Sequence, residues 1–270
     1  MTNPTVPAEH LLAIAGDFTR HNDASAAIRL TSSDPAAATA LNQLADLTQH
    51  LSDSALHIVD VLNEQSMHHS PTILAVYARV KQFALLTITA AEHLQIAAGI
   101  LDITRAGMPI HDDGLPLTSQ EALDQARSRL TLVRDLTALG AKDALATAEL
   151  FVAERSRRGT RPLHQPPALS TAQDAALRAI AQGEVTITDD RPIIRSNDVR
   201  VSINTIRSLE SRGLVIREPC LLRHHDERVH LTADGSRGLA ASFGLPRPPV
   251  PAAGRPAGRP AAPAACPATR

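Results

Sequence analysis

Val201-Ser-Ile-Asn-Thr-Ile-Arg-Ser-Leu-Glu-Ser-Arg-Gly-Leu-Val215 decides the reading of this 270-residue chain. Ser202 is a good helix N-cap. Ile203, Ile206 and Leu209 recur at three-residue steps and form one apolar stripe. Gly213 supplies a left-handed stop, and Leu214-Val215 lead into a strand. The predicted helix leaves Asn204, Thr205, Arg207, Ser208, Ser211 and Arg212 outward. Short polar and guanidinium side chains of this kind suit phosphate oxygens and base edges.

Downstream, Val215-Ile-Arg-Glu and Arg228-Val-His-Leu read as two short strands. The loop between them carries Arg223, His224 and His225, so the pair has the form of a wing able to lie along a phosphate backbone. Thr232 caps a closing helix. Upstream, residues 169–183 read as a helix and 184–201 as short strands.

Three runs together resemble a winged helix-turn-helix of the MarR/PadR type. They are Leu169-Ser-Thr-Ala-Gln-Asp-Ala-Ala-Leu-Arg-Ala-Ile180, the Ser-x-x-Thr-Ile-x-x-Leu-x-x-x-Gly-Leu-Val run, and the closing Arg-Val-x-Leu-Thr-x-x-Gly. The resemblance covers about 75 residues. It implies that 202–212 is a recognition helix and 217–229 a wing. The family places a further amphipathic helix before the recognition helix. Here Glu184-Val-Thr-Ile-Thr-Asp-Asp-Arg-Pro-Ile-Ile-Arg195 reads instead as a β-hairpin turning at Asp189–Pro192.

The expected DNA contacts are therefore Arg200, Ser202, Asn204, Thr205, Arg207, Ser208, Ser211, Arg212 and Arg217, with Arg223, His224, His225 and Arg228 from the wing. The net charge of −1 gives no bulk signal for nucleic acid. Residues 169–243 hold ten Arg against ten acids, but 195–230 hold seven Arg against five. That local excess favours double-stranded DNA as partner. The alternative is a winged helix that docks a protein, making the chain an interaction or scaffold protein, since fold does not fix function.

Ahead of this module the sequence predicts three long amphipathic helices. The first starts at Asp34-Pro35 and buries Leu44, Leu47, Leu51, Ile58 and Leu62. The second starts at Ser70-Pro71 and is apolar on most sides, as a central or interface helix is. The third opens with a Thr118/Glu121 capping box and runs to about Glu154. With 2% aromatic residues the core must be aliphatic. The expected fold is mainly α: an elongated three-helix antiparallel bundle, then an α+β winged-helix domain, then a disordered tail. Its parts are an arm (1–34), a dimerising bundle (35–158), a linker (159–168), the winged helix-turn-helix (169–243) and a tail (244–270) with eight prolines.

Other constellations point less far. Gly254-Arg255-Pro256 and Gly258-Arg259-Pro260 resemble the core of an AT-hook in a low-complexity tail. Asp46, His50, Asp53, His57, Asp60 and Glu64 form a polar stripe, read as a solvated face or a metal or pH-sensing site. Cys220, His224, His225 and His230 lack the paired spacing of a zinc site. Glu92-His93 reads as a satisfied buried pair, the alternative being an enzyme site in the bundle core around it and the first-helix stripe. The chain has no P-loop, dinucleotide fingerprint or nucleophile elbow. The expectation is a non-enzymatic, cytoplasmic, nucleoid-associated homodimer with no cofactor, metal, membrane or evident small-molecule ligand.

Overall fold

The computed structural model describes residues 7–31, 36–64, 70–112, 115–160, 164–195, 199–220 and 226–243. The expected cap at Asp34-Pro35, the end of the first long helix at His68-His69 and the Pro-rich tail with its Gly-Arg-Pro repeats lie outside them.

Most of the segment expected as an arm is helical. Helix α1 (Pro7–Ala27) is deeply enclosed by the rest of the chain. Leu11, Leu12, Ile14, Ala15 and Phe18 are all buried, so apolar groups point inward from more than one side. Pro7 suits the first turn, where its missing N–H costs nothing. Helix α2 (Ala37–Glu64) and helix α3 (Pro71–Arg105) pack along each other. The Ser70 hydroxyl accepts the Ile73 N–H at 3.2 Å, as the Ser-Pro signal predicts. By length and composition α3 is the one described helix apolar enough to cross a membrane; here α2 and two following helices pack on it.

A two-strand ladder, β1 (His111–Asp112) and β2 (Leu115–Pro116), bridges to helix α4 (Ser119–Thr137). The Thr118/Glu121 capping box is present. The third long helix does not continue: it is interrupted at Ala138–Leu139, and α5 (Gly140–Arg157) packs onto α1. Two α1 residues account for the break. Phe18 sits directly over Gly140, where an added Cβ would collide with the ring. Asn22 donates through Nδ2 to the Thr137 carbonyl at 3.2 Å and accepts from the Thr137 hydroxyl at 2.8 Å. The interrupted helix end thus keeps hydrogen-bond partners.

The remainder is helix α6 (Thr171–Ala181), strands β3 (Val185–Thr188) and β4 (Arg191–Ile194), helix α7 (Ile203–Ser211), strands β5 (Val215–Pro219) and β6 (Glu227–Leu231), and helix α8 (Ala233–Ser242). The four strands form one antiparallel sheet in the order β4-β3-β6-β5. The chain is thus mainly helical with a small sheet after the long helices. A single apolar cluster runs from Leu11 and Phe18 through Phe151 to Leu177, Val185, Leu209 and Val229. The core is continuous between the sheet region and the helices before it. A second cluster lies at the far end of α2, α3 and α4, around Leu41, Leu94 and Leu130.

Candidate nucleic-acid interface

Helix α7 is set by its caps and its stripe. The Ser202 hydroxyl accepts the Thr205 N–H at 3.1 Å. Ile206 and Leu209 are fully buried. At the other end Gly213 has φ of +68°, and the N–H groups of Gly213 and Leu214 reach back to the carbonyls of Glu210 and Leu209. That left-handed close frees β5 to leave at an angle.

The face opposite the stripe is open. Ser202, Asn204, Arg207, Ser211 and Arg212 are exposed, with Thr205 and Ser208 half-buried. Ser208 accepts a bond from Gln173 Nε2 at 3.0 Å, which ties α7 to α6. Arg212 donates to the Ala168 carbonyl at 3.0 Å. Arg200 is exposed just before the cap. On edge strand β4 and just beyond it, Arg191 and Arg195 are exposed on either side of Ile193. Arg200, Arg191 and Arg195 make no ion pair among the described residues.

Acids temper this face. The β3–β4 turn places Asp189 and Asp190 at φ of +49° and +59°, as a two-residue hairpin with mirror-image geometry requires. Asp190 pairs with Arg207, both about half-exposed. Arg217 is held by Glu210 at 2.7 Å and by Glu227 at 3.3 Å. The Glu210 hydrogen bond raises the Arg217 pKa further above its usual value. Arg217 is therefore mostly buried within a clamp between α7, β5 and β6, and is not a free contact.

Arg228, expected as a wing contact, is buried. Its side chain is 1% exposed and aims at α1, where Nε and Nη2 meet the Asp23 carboxylate at 2.8 and 2.5 Å. Nη1 donates to the Gly183 carbonyl at 2.7 Å. No duplex can reach it. Arg223, His224 and His225 lie outside the described residues.

The sheet is thus fastened to α1 by charge, which no sequence pattern discloses. Arg20 grips Glu218 of β5 at 2.8 and 3.0 Å and holds its carboxyl below the usual range. His230 lies 3.5 Å from Glu218. Burial first, then the Arg20 charge, push the His230 pKa down to about 4. Beside these groups α1, α6, β6 and α8 line a partly open pocket of about 300 Å³ edged by Glu9, His10, Asp17 and Arg20. Burial raises the Asp17 pKa and lowers that of His10.

The remaining candidates are scattered. Among the described residues no three His, Cys, Asp or Glu side chains gather as metal ligands. His57 of the polar stripe stands against His10, ring centres 5.5 Å apart. Glu92 is exposed rather than buried, and His93 takes a 3.1 Å contact from Arg129. No family model, no curated protein and no solved structure matches this chain.

Proposed function

We propose that residues 169–243 act as a winged helix that binds double-stranded DNA through α7, and that the chain is a transcriptional regulator whose long helices form a bundle. The observation that carries this reading is the outward face of α7. A nine-residue helix anchored by Ile206 and Leu209 presents Asn204, Arg207 and Ser211 to solvent, with Arg200 at its head and Arg212 at its foot. Asn and Arg are the side chains that pair bidentately with base edges in a major groove. Arg191 and Arg195 extend the basic surface along the β4 edge. The contact set differs from the sequence expectation: Arg217 and Arg228 leave it, and the two arginines at β4 join it.

One observation favours a protein-docking module instead. Asp190 and Glu210 stand beside Arg207 and Arg217 and would repel phosphate. The Arg207–Asp190 pair is half-exposed, however, and exposed pairs contribute little. Arg207 is therefore available to a stronger anion. Gel shifts against genomic fragments at two salt concentrations separate the readings. The DNA reading expects binding that weakens with salt. If Arg207 touches one phosphate, Arg207→Ala should make the log–log salt slope shallower by about 0.9. Asp190→Asn should bind more tightly than the wild type. Absence of binding at low salt to every fragment removes the reading.

A further inference from the structure

We infer that a second copy of this chain docks antiparallel along the outer face of α3, with Lys81 of each copy paired to Glu92 of the other. Helix α3 buries one side against α2, α4 and α5. Its other side is apolar and bare: Leu74 is 53% and Leu85 64% exposed, and Ile88, Ile96 and Ile103 are exposed as well. At 3.6 residues per turn these five fall within a strip about 80° wide along the whole helix. A strip that narrow matches the seam between two paired helices. An isolated surface leucine needs no explanation, but a row of five exposed Leu and Ile residues along one helix face does.

The row fits itself. Lys81 and Glu92 are its two charged members, and neither has an ion-pair partner among the described residues. Place a two-fold axis between Leu86 and Thr87 and run the helices antiparallel. Lys81 then faces the partner's Glu92, and Leu85 faces the partner's Ile88. Leu74 faces the partner's Gly99, where an added Cβ would meet nothing within 4 Å, so there is room for the larger side chain. One register thus matches charge to charge, branched apolar to branched apolar, and large to small. A two-fold interface requires this self-complementarity of a single patch. The seam from Leu74 to Gly99 is about 38 Å long.

Dimerisation through α3 is independent of the DNA reading: a monomer would leave α7 free to bind, and a dimer would form without DNA. Sedimentation of the full-length chain tests it. The wild type is expected at twice the 28.7 kDa chain mass. Lys81→Glu alone and Glu92→Lys alone each place like charges opposite one another and should weaken association by about tenfold or more. The double variant Lys81→Glu/Glu92→Lys restores both pairs and should recover the dimer. Leu85→Asp, on the bare face, should give a folded monomer with unchanged helical circular dichroism. A monomeric wild type, single reversals that leave the dimer intact, or a double reversal that fails to rescue overturns the inference.

Discussion

Arg228 sits in a strand whose sequence reads as one side of a wing, yet its charge points inward to Asp23. Both partners are buried and the pair is further tied to the Gly183 carbonyl. Removing one member of such a pair strands the other, at a cost of about 3–5 kcal/mol. Asp23→Ala and Arg228→Ala are each expected to lower unfolding stability by that much, while purified folded Arg228→Ala keeps the wild-type salt dependence of any duplex binding. Denaturant unfolding followed by circular dichroism checks the first part. At this scale the sequence is legible where a side chain answers to its own helix, as for Ser202, Thr118 and Ser70 at their caps. It is illegible where the partner lies far along the chain. Nothing in Arg-Val-His-Leu distinguishes an arginine aimed at phosphate from one aimed at Asp23. The same holds for Arg217, whose clamp closes only when Glu210 and Glu227 come together.

The elements are legible in proportion to their periodicity. α2, α6 and α7 carry clear apolar stripes, and α3 is legible as a long run that is apolar on most sides. The β3–β4 hairpin is readable from its Asp-Asp turn and β-branched flanks. For α1 the sequence offers at most a short helix over residues 9–18; its full extent and burial are hidden because its apolar residues face several neighbours, which blurs a one-sided stripe, and because Pro4 and Pro7 look like punctuation. The α4–α5 break has one local hint, Gly140, but its cause is Phe18 arriving from α1. This close approach makes Gly140→Ala informative. Alanine is the better helix former, yet its Cβ collides with the Phe18 ring, and overpacking of this sort costs about 1–3 kcal/mol. Thermal unfolding of Gly140→Ala is expected to show a lower midpoint than the wild type. An unchanged or raised midpoint would mean that helix propensity outweighs the collision.

For the whole molecule, α1 joins the long helices to the sheet region through one apolar cluster and two ion pairs. The sequence predicts a linker at 159–168 between the long helices and the sheet region; one apolar cluster spans both, so they are expected to unfold together. Acid provides a handle on this. His21 is buried, with Nε2 2.9 Å from the Thr48 hydroxyl, and burial lowers its pKa to about 4. His230 is lowered to about 4 as well. Unfolded histidine takes up a proton near pH 6.5, whereas these two resist until about 4. Between those values the unfolded state binds more protons. Stability should therefore fall as pH falls through that window, by up to about 1.4 kcal/mol per pH unit for each histidine. Unfolding midpoints at pH 7 and pH 5 test the sign; a flat profile contradicts it.

DNA binding of the proposed kind requires α7 to offer its polar face to a duplex. Amide chemical-shift mapping of the labelled protein during titration with a DNA fragment selected for binding addresses this most directly. The expected result is shifts concentrated at Arg200 to Arg212 and along β4, with the buried amides of α1 around Asp23 unmoved. Shifts confined to other surfaces, with α7 silent at saturating duplex, would contradict it.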